Sequence, residues 1–173
     1  MLNLKAWIVG IFLLLATGVL AEQATPQEIL LGIRYLFPEV SKIGVIYSSQ
    51  KEKAYKLQDL GTERGYEVLI GAVRKAKKIK GVYNGMYQAG IKVLVLLGTD
   101  AVFDEALPFL VRASRRDFIP VIGFKDEHVR KGLPLAIVRS SDGKWYIAVN
   151  ERICKKFGIK FGEKARPLVR PVK

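Results

Sequence analysis

Residues 43–73, IGVIYSSQKEKAYKLQDLGTERGYEVLIGAV, decide the predicted fold. Two apolar runs, Ile43–Tyr47 and Glu67–Val73, flank a polar stretch that ends at Gly65, and glycine commonly follows the last turn of a helix. The order strand, helix, strand is typical of a β-α-β unit, because two parallel strands need a long crossover connection. Further apolar runs of strand length occur at 93–97, 119–122 and 135–138.

Helical patterns occupy the segments around these runs. Thr25, Pro26 and Glu28 predict the start of an opening helix over 25–36, since they form a capping-box motif with proline at the first helical position. Further helices are predicted at 51–64, 78–89, 100–115 and 144–157. Pro108 lies inside the third of these and is expected to bend or split it. Strands without apolar/polar alternation, separated by helices, indicate an α/β fold with a doubly wound, mostly parallel, five-stranded sheet in the order 2-1-3-4-5.

The composition excludes several classes of function. The 173 residues include 29 Lys and Arg, 16 Asp and Glu, one His and one Cys, and the net charge is +13. A single Cys excludes an intrachain disulfide and a Cys-x-x-Cys zinc site, and a single His excludes His-Glu-x-x-His chemistry. Cys154 is expected to be a buried, inert thiol, and His128 a surface residue. No catalytic residue, metal ligand or cofactor is predicted, which argues against an enzyme.

Residues 1–21 have the layout of a secretory signal peptide. One lysine precedes an apolar run that is short for a membrane span, and Val19 and Ala21 occupy the −3 and −1 positions before a cleavage site at Glu22. The alternative is an uncleaved anchor helix. Cleavage predicts a periplasmic or secreted protein, and export argues against nucleic acid as a partner despite the positive charge.

The predicted topology restricts where a ligand site can lie. In open parallel sheets, ligands bind beyond the carboxyl ends of the strands, where loops and helix starts converge. That rule selects segments with hydroxyl or carboxylate groups at 48–50, 98–100, 123–126 and 139–142. The alternative interpretation is that some of these polar residues serve only as helix N-caps. The residues concerned are Ser49, Thr99, Asp126 and Asp142.

A basic segment follows the second strand on the same side of the predicted sheet. Residues 74–80, RKAKKIK, contain five cations at a helix start, where positive charge opposes the helix dipole. The alternative is a solvated helix start on a basic protein. Six residues are predicted as contacts with an anion or a partner protein, namely Arg74, Lys75, Lys77, Lys78, Lys125 and Arg139.

Three motifs resemble those of a known family. They are FPEVSKIGVIYS at 37–48, IPVIG at 119–123 and DEHVRKG at 126–132. In combination they are similar to the second lobe of ABC-transporter substrate-binding proteins of the type I periplasmic class. The resemblance implies one such lobe over residues 22–165, followed by a basic C-terminal tail at 166–173. It also implies ligand-binding roles for five residues, namely Ser48, Ser49, Thr99, Asp100 and Asp126.

Two hypotheses about function follow from the resemblance. The first is a secreted, non-enzymatic solute-binding protein reduced to one lobe, whose ligand is a small molecule. The second is a periplasmic protein–protein interaction module with a degenerate ligand site. In either case the lobe face that carries the site is expected to support a homodimer or contact with an envelope or transporter protein, because nothing in the sequence is predicted to cover it.

Overall fold

A computed structural model describes residues 23–173 of the chain. The helices are α1 (Pro26–Leu36), α2 (Lys51–Glu63), α3 (Ala76–Gln88), α4 (Ala101–Asp117), α5 (Asp126–Arg130) and α6 (Glu151–Lys156). The strands are β1 (Lys42–Tyr47), β2 (Glu67–Ala72), β3 (Val93–Leu97), β4 (Val121–Gly123), β5 (Leu135–Arg139), β6 (Trp145–Val149) and β7 (Val169–Pro171). The predicted signal peptide at 1–21 lies outside the described residues.

The strands form one sheet in the order β2-β1-β3-β4-β5-β6-β7. The first five strands are parallel, with Val45 of β1 paired to Ile70 on one side and to Val95 on the other. This confirms the predicted order 2-1-3-4-5 and the doubly wound, mostly parallel class. The sheet has seven strands rather than five, because β6 runs antiparallel to β5 and β7 pairs with β6.

Helices cover both faces of the sheet. Ile33 of α1 and Leu57 of α2 pack with Val45 and Val95 in one hydrophobic cluster. A second cluster on the opposite face joins α3 and α4 to the alternate strand positions, including Ile46, Leu94 and Leu96. All five residues of β3 are buried, which is the burial expected of a central strand between two helical layers.

The opening helix begins as the sequence predicts. The Thr25 hydroxyl accepts a hydrogen bond from the Glu28 backbone N–H at 3.3 Å, and the Glu28 carboxylate accepts one from the Thr25 N–H at 2.7 Å. Both halves of the capping box are therefore present, and each satisfies a backbone donor that the helix itself leaves unpaired. Further along the chain, α4 continues through Pro108 as one helix, so the predicted split does not occur.

The predicted helix over 144–157 is wrong. Residues 145–149 form β6, and only Glu151–Lys156 are helical. The segment WYIAV is rich in aromatic and β-branched residues, which fit a strand, and Gly143 adopts φ +80° in the turn that reverses the chain. Asn150 follows the strand and is the N-cap of α6, since its side-chain oxygen accepts a hydrogen bond from the Ile153 N–H at 3.1 Å.

The C-terminal residues add the outermost strand. After a 3₁₀ turn at Arg166–Leu168, β7 pairs in parallel with β6, and the Arg170 guanidinium lies 4.2 Å from the centre of the Tyr146 ring. Only Val169–Pro171 of the predicted tail at 166–173 are extended, and they are hydrogen-bonded into the sheet. Within the described part of the chain, no helix combines the length and apolar character that crossing a membrane requires.

Candidate functional site

A cluster of two serines and an aspartate lies at the carboxyl ends of β1 and β3. Ser48 donates a short hydrogen bond to the Asp100 carboxylate, and the Ser49 hydroxyl lies 3.1 Å and 3.3 Å from its two oxygens. The structure therefore brings together three of the five predicted ligand-binding residues. Their side chains range from half-buried to exposed, so a bound molecule could reach the carboxylate and both hydroxyls. A carboxylate in this position suits a cationic or hydrogen-bond-donating group.

Gly98 lets the chain approach Asp100 closely. Its φ is +141°, a value that L side chains rarely adopt, and an added Cβ would lie 2.8 Å from Asp100 Oδ2 and 3.1 Å from Phe103. Asp100 is also the N-cap residue of α4, yet its side chain makes no capping bond. The carboxylate is hydrogen-bonded to the two serines instead.

The amino end of α1 borders the same edge. The Gln23 side-chain amide donates to the Thr99 hydroxyl at 3.2 Å, and its own carbonyl oxygen is buried with no hydrogen-bond partner among residues 23–173. The Glu28 carboxylate, in the first turn of α1, lies 3.8 Å from Arg139 at the end of β5. Thr99 thus faces Gln23 rather than the serine–aspartate cluster.

Asp104 connects α4 with the residues that follow β4. Lys125 Nζ lies 2.8 Å from Asp104 Oδ2, and His128 Nε2 lies 3.2 Å from Asp104 Oδ1. His128 Nδ1 accepts the Phe124 N–H at 3.4 Å, so in the neutral ring Nε2 carries the proton and donates to Asp104. The prediction that His128 is a surface residue is wrong, because its side chain is fully buried against Gly123.

The environment of this pair shifts both pKa values downwards. Burial lowers the pKa of His128, although the hydrogen bond with Asp104 acts in the opposite direction. Partial burial acts to raise the pKa of Asp104, but hydrogen bonds from Lys125 and His128 outweigh it and bring the pKa below its usual value. The arrangement therefore holds a neutral imidazole beside an ionised carboxylate.

Asp126 lies apart from the serine–aspartate cluster. Its carboxylate accepts the Tyr146 hydroxyl at 3.1 Å and 3.2 Å, which ties the start of α5 to β6. Asp142 stays within the β5–β6 turn, where it contacts Ser140 and the Lys144 N–H. The alternative interpretation, in which Ser49, Thr99, Asp126 and Asp142 serve only as helix N-caps, is wrong. The N-cap residues of α2, α4 and α5 are Gln50, Asp100 and Lys125, and none of the three makes a side-chain capping bond.

The predicted basic contacts divide into two groups. Lys125 and Arg139 are engaged with Asp104 and Glu28, so their charge is partly neutralised. The segment 74–80 begins α3, whose first turn holds no acidic residue, and its five cations are exposed. Within the described residues these five cations make no ion pair, and they remain available at the carboxyl edge.

Other reactive groups do not join the site. Cys154 is buried and its thiol lies 3.1 Å from the Pro134 carbonyl, and burial raises its pKa to about 12. This confirms the prediction of a buried, inert thiol. Among residues 23–173, no group of three or more His, Cys, Asp or Glu side chains is arranged to hold a metal ion.

Comparison with known families decides the classification. The model of a family described as ABC transporter substrate binding protein matches residues 14–160. The chain belongs to this substrate-binding family. The resemblance seen in the sequence motifs is thereby confirmed, whereas no curated protein matches the chain.

Three solved structures share the fold. An ABC domain in complex with L-Trp from Streptococcus pneumonia aligns with a TM-score of 0.71 at 18% identity, covering 86% of this chain and 60% of that one. A conserved domain protein from Vibrio cholerae gives 0.69 at 17% identity, with 88% and 61% covered. The ligand-free, open form of a substrate-binding protein with adhesive properties from Clostridium difficile gives 0.69 at 18%, with 87% and 60% covered. The chain thus spans about 60% of the length of these structures.

Sequence reasoning missed Gln23, Asp104 and His128 as parts of this edge. For Asp104 a signal exists, since it follows Asp100 by four residues and therefore shares its face of α4. Gln23 offers no such signal, because its contact with Thr99 joins positions 76 residues apart. The substrate-binding fold makes that contact by placing α1 beside the carboxyl ends of the strands.

Proposed function

We propose that this member of the substrate-binding family is a non-enzymatic solute-binding protein that uses the carboxyl edge of the sheet as one wall of its ligand site. The observation that carries the proposal is the cluster of Ser48, Ser49 and Asp100, which joins two neighbouring loops at that edge. Because the solved relatives are longer than this chain, a second wall from another lobe or another chain is part of the proposal.

The chemistry of the cluster favours a solute with a protonated amine. The Asp100 carboxylate can receive that amine, and the two hydroxyls can donate to an acceptor once they turn from the carboxylate. An amino acid has both kinds of group, and one structure with this fold binds L-Trp. An amino acid is therefore the ligand class to test first.

Calorimetric titration with amino acids, beginning with L-Trp, tests the site. Removing the charge with Asp100→Asn should lower the affinity at least tenfold, because one charge-assisted hydrogen bond contributes about 1.5–3 kcal/mol. Asp59→Asn is the matched control, since Asp59 is exposed on α2, away from the carboxyl edge. Equal affinities of Asp100→Asn and the unmodified chain would contradict the proposed site. The absence of binding by any amino acid would contradict the ligand class.

A second candidate function rests on the exposed basic segment 74–80. Here the lobe is a periplasmic interaction module with a degenerate ligand site, and the cations contact an acidic partner such as an envelope or transporter protein, or a second copy of the chain. The triple variant Lys75→Gln, Lys77→Gln and Lys78→Gln should then weaken binding to this acidic partner, and added salt should do the same. Binding that neither change affects would contradict this role. Sedimentation at high concentration tests the homodimer directly.

We also propose that the protein is exported, with residues 1–21 removed as a signal peptide. Support comes from the charged, apolar and small-residue layout of the leader and from membership of the substrate-binding family. N-terminal sequencing of the protein recovered outside the cytoplasm should give Glu22 as the first residue. Retention of Met1 would show that the leader is not cleaved.

A further inference from the structure

A cavity of about 580 Å³ opens at the edge of the sheet opposite to the solute site. Its residues come just before β4, just before β5 and just after β6, so it lies at the amino ends of the parallel strands. Five of its lining residues are cations, namely Arg115, Arg130, Lys131, Arg152 and Lys156. Its volume is in the usual range for small-molecule sites.

Positive charge dominates this cavity. None of the residues that line it is acidic, and one neighbouring carboxylate, Glu127, is shared between Arg130 at 3.9 Å and Lys131 at 3.2 Å. Arg152 and Lys156 have no ion pair within residues 23–173. Five cations in a lining without any acidic residue create a field that attracts a multiply charged anion.

The helix dipole explains the positions of only some of these cations. Arg115, Arg130 and Lys156 lie in the last turns of α4, α5 and α6, where cations interact favourably with the helix dipole. Arg152 lies in the first turn of α6, where a cation opposes that dipole. Its presence at the cavity is therefore not explained by the helix.

An aromatic ring is exposed at the same place. Phe118 is 73% exposed and has φ +53°, a left-handed conformation that glycine or asparagine adopts more readily at the end of a helix. Its ring lies 6.4 Å from that of Phe157, edge to face, and both rings line the cavity. Helix termination does not require phenylalanine here, and the exposed ring offers a flat surface on which another ring can stack.

We propose that this cavity binds a phosphorylated aromatic compound of the nucleotide class. The phosphate groups contact the guanidinium groups of Arg115, Arg130 and Arg152, because the planar guanidinium matches phosphate oxygens in a bidentate geometry. The aromatic part stacks on Phe118. A diphosphate or triphosphate fits the charge better than a monocarboxylate, since five cations face it.

Calorimetric titration of the purified chain with ADP and, separately, with inorganic pyrophosphate tests both halves of the proposal. ADP should bind, and pyrophosphate should bind at least tenfold more weakly because it lacks a ring. Phe118→Asn should bring the affinity for ADP down to that for pyrophosphate without loss of thermal stability, since asparagine tolerates the left-handed backbone. Equal binding of the two probes would overturn the stacking role of Phe118.

Matched charge variants separate a specific site from general attraction to a basic protein. The double variant Arg115→Gln and Arg152→Gln should lower the affinity for ADP at least tenfold. The control pair is Arg112→Gln and Lys155→Gln, on the same two helices but outside the cavity lining, which should change it less than twofold. Equal losses in both pairs, or no ADP binding at 50 mM salt, would overturn the site.

Discussion

Gly123 is a position where one added methyl group should destabilise the fold. It ends β4, and a Cβ there would lie 2.5 Å from His128 Nδ1 and 2.9 Å from His128 Cβ. The imidazole cannot swing aside, because Phe124 and Asp104 hold both ring nitrogens and the side chain is fully buried. Forcing an extra methyl group into such a site costs about 1–3 kcal/mol. Gly123→Ala should therefore lower the free energy of unfolding by that amount.

The same substitution at Gly81 should have the opposite sign. Gly81 is exposed on α3, and an added Cβ there has nothing within 4 Å. Alanine favours the helix over glycine by about 0.5–1 kcal/mol. Urea unfolding measures both variants, and a shift of the midpoint at constant slope reports the change in stability.

A double-mutant cycle identifies the atoms responsible. His128→Ala removes the ring that the new methyl group would meet, so the further cost of Gly123→Ala should be at least about 1 kcal/mol smaller in that background. Two results would refute the reasoning. One is a Gly123→Ala variant as stable as the unmodified chain. The other is the same cost of Gly123→Ala with and without the imidazole.

Three further outcomes follow from other contacts. The free energy of unfolding should fall as the pH drops below about 6.5, because the pKa of His128 is lowered only in the folded state and the unfolded chain then binds the extra proton. Urea unfolding from pH 5 to 7.5 measures this change. The variant His128→Gln should lack this dependence of stability on pH. Cys154, whose pKa is raised to about 12, should react with thiol reagents far more slowly in native buffer than in urea. Arg170→Ala should cost about 0.5–1 kcal/mol in thermal unfolding through its loss from the Tyr146 ring, with Lys173→Ala as the control.

The sequence predicts the parallel part of the fold because the pattern of each segment there agrees with its place in the sheet. Strands such as Val93–Leu97 are apolar throughout, and the helices between them end at glycines such as Gly65 and Gly90, both with positive φ. The segment Trp145–Val149 is different, since its apolar residues fit one face of a helix as well as a strand. Pairing with β5 decides between the two, and that contact depends on the turn at Gly143 rather than on the segment itself.

The candidate site also has a part that the sequence predicts and a part that it does not. The proximity of Ser48, Ser49 and Asp100 follows from parallel strands, whose carboxyl ends must meet at one edge. The partners of Lys125 and Arg139 do not follow from it, because they lie on helices whose rotation about their own axes depends on packing. Lys125 pairs with Asp104 and Arg139 pairs with Glu28. No pattern of sequence spacing identifies such pairs.

Distance along the strands makes the two proposed sites electrostatically independent. The five residues of β3 span about 16 Å, and exposed charges are screened over about 8 Å at 0.15 M salt. Asp100 lies beyond one end of the strand, and Arg152 belongs to the cavity at the opposite edge. Asp100→Asn should therefore leave the affinity for ADP unchanged at that salt, and Arg152→Gln should leave the affinity for the amino acid unchanged. A loss of affinity at both edges from either single change would mean that the two edges are coupled through the sheet, since screened charge alone does not act over this distance.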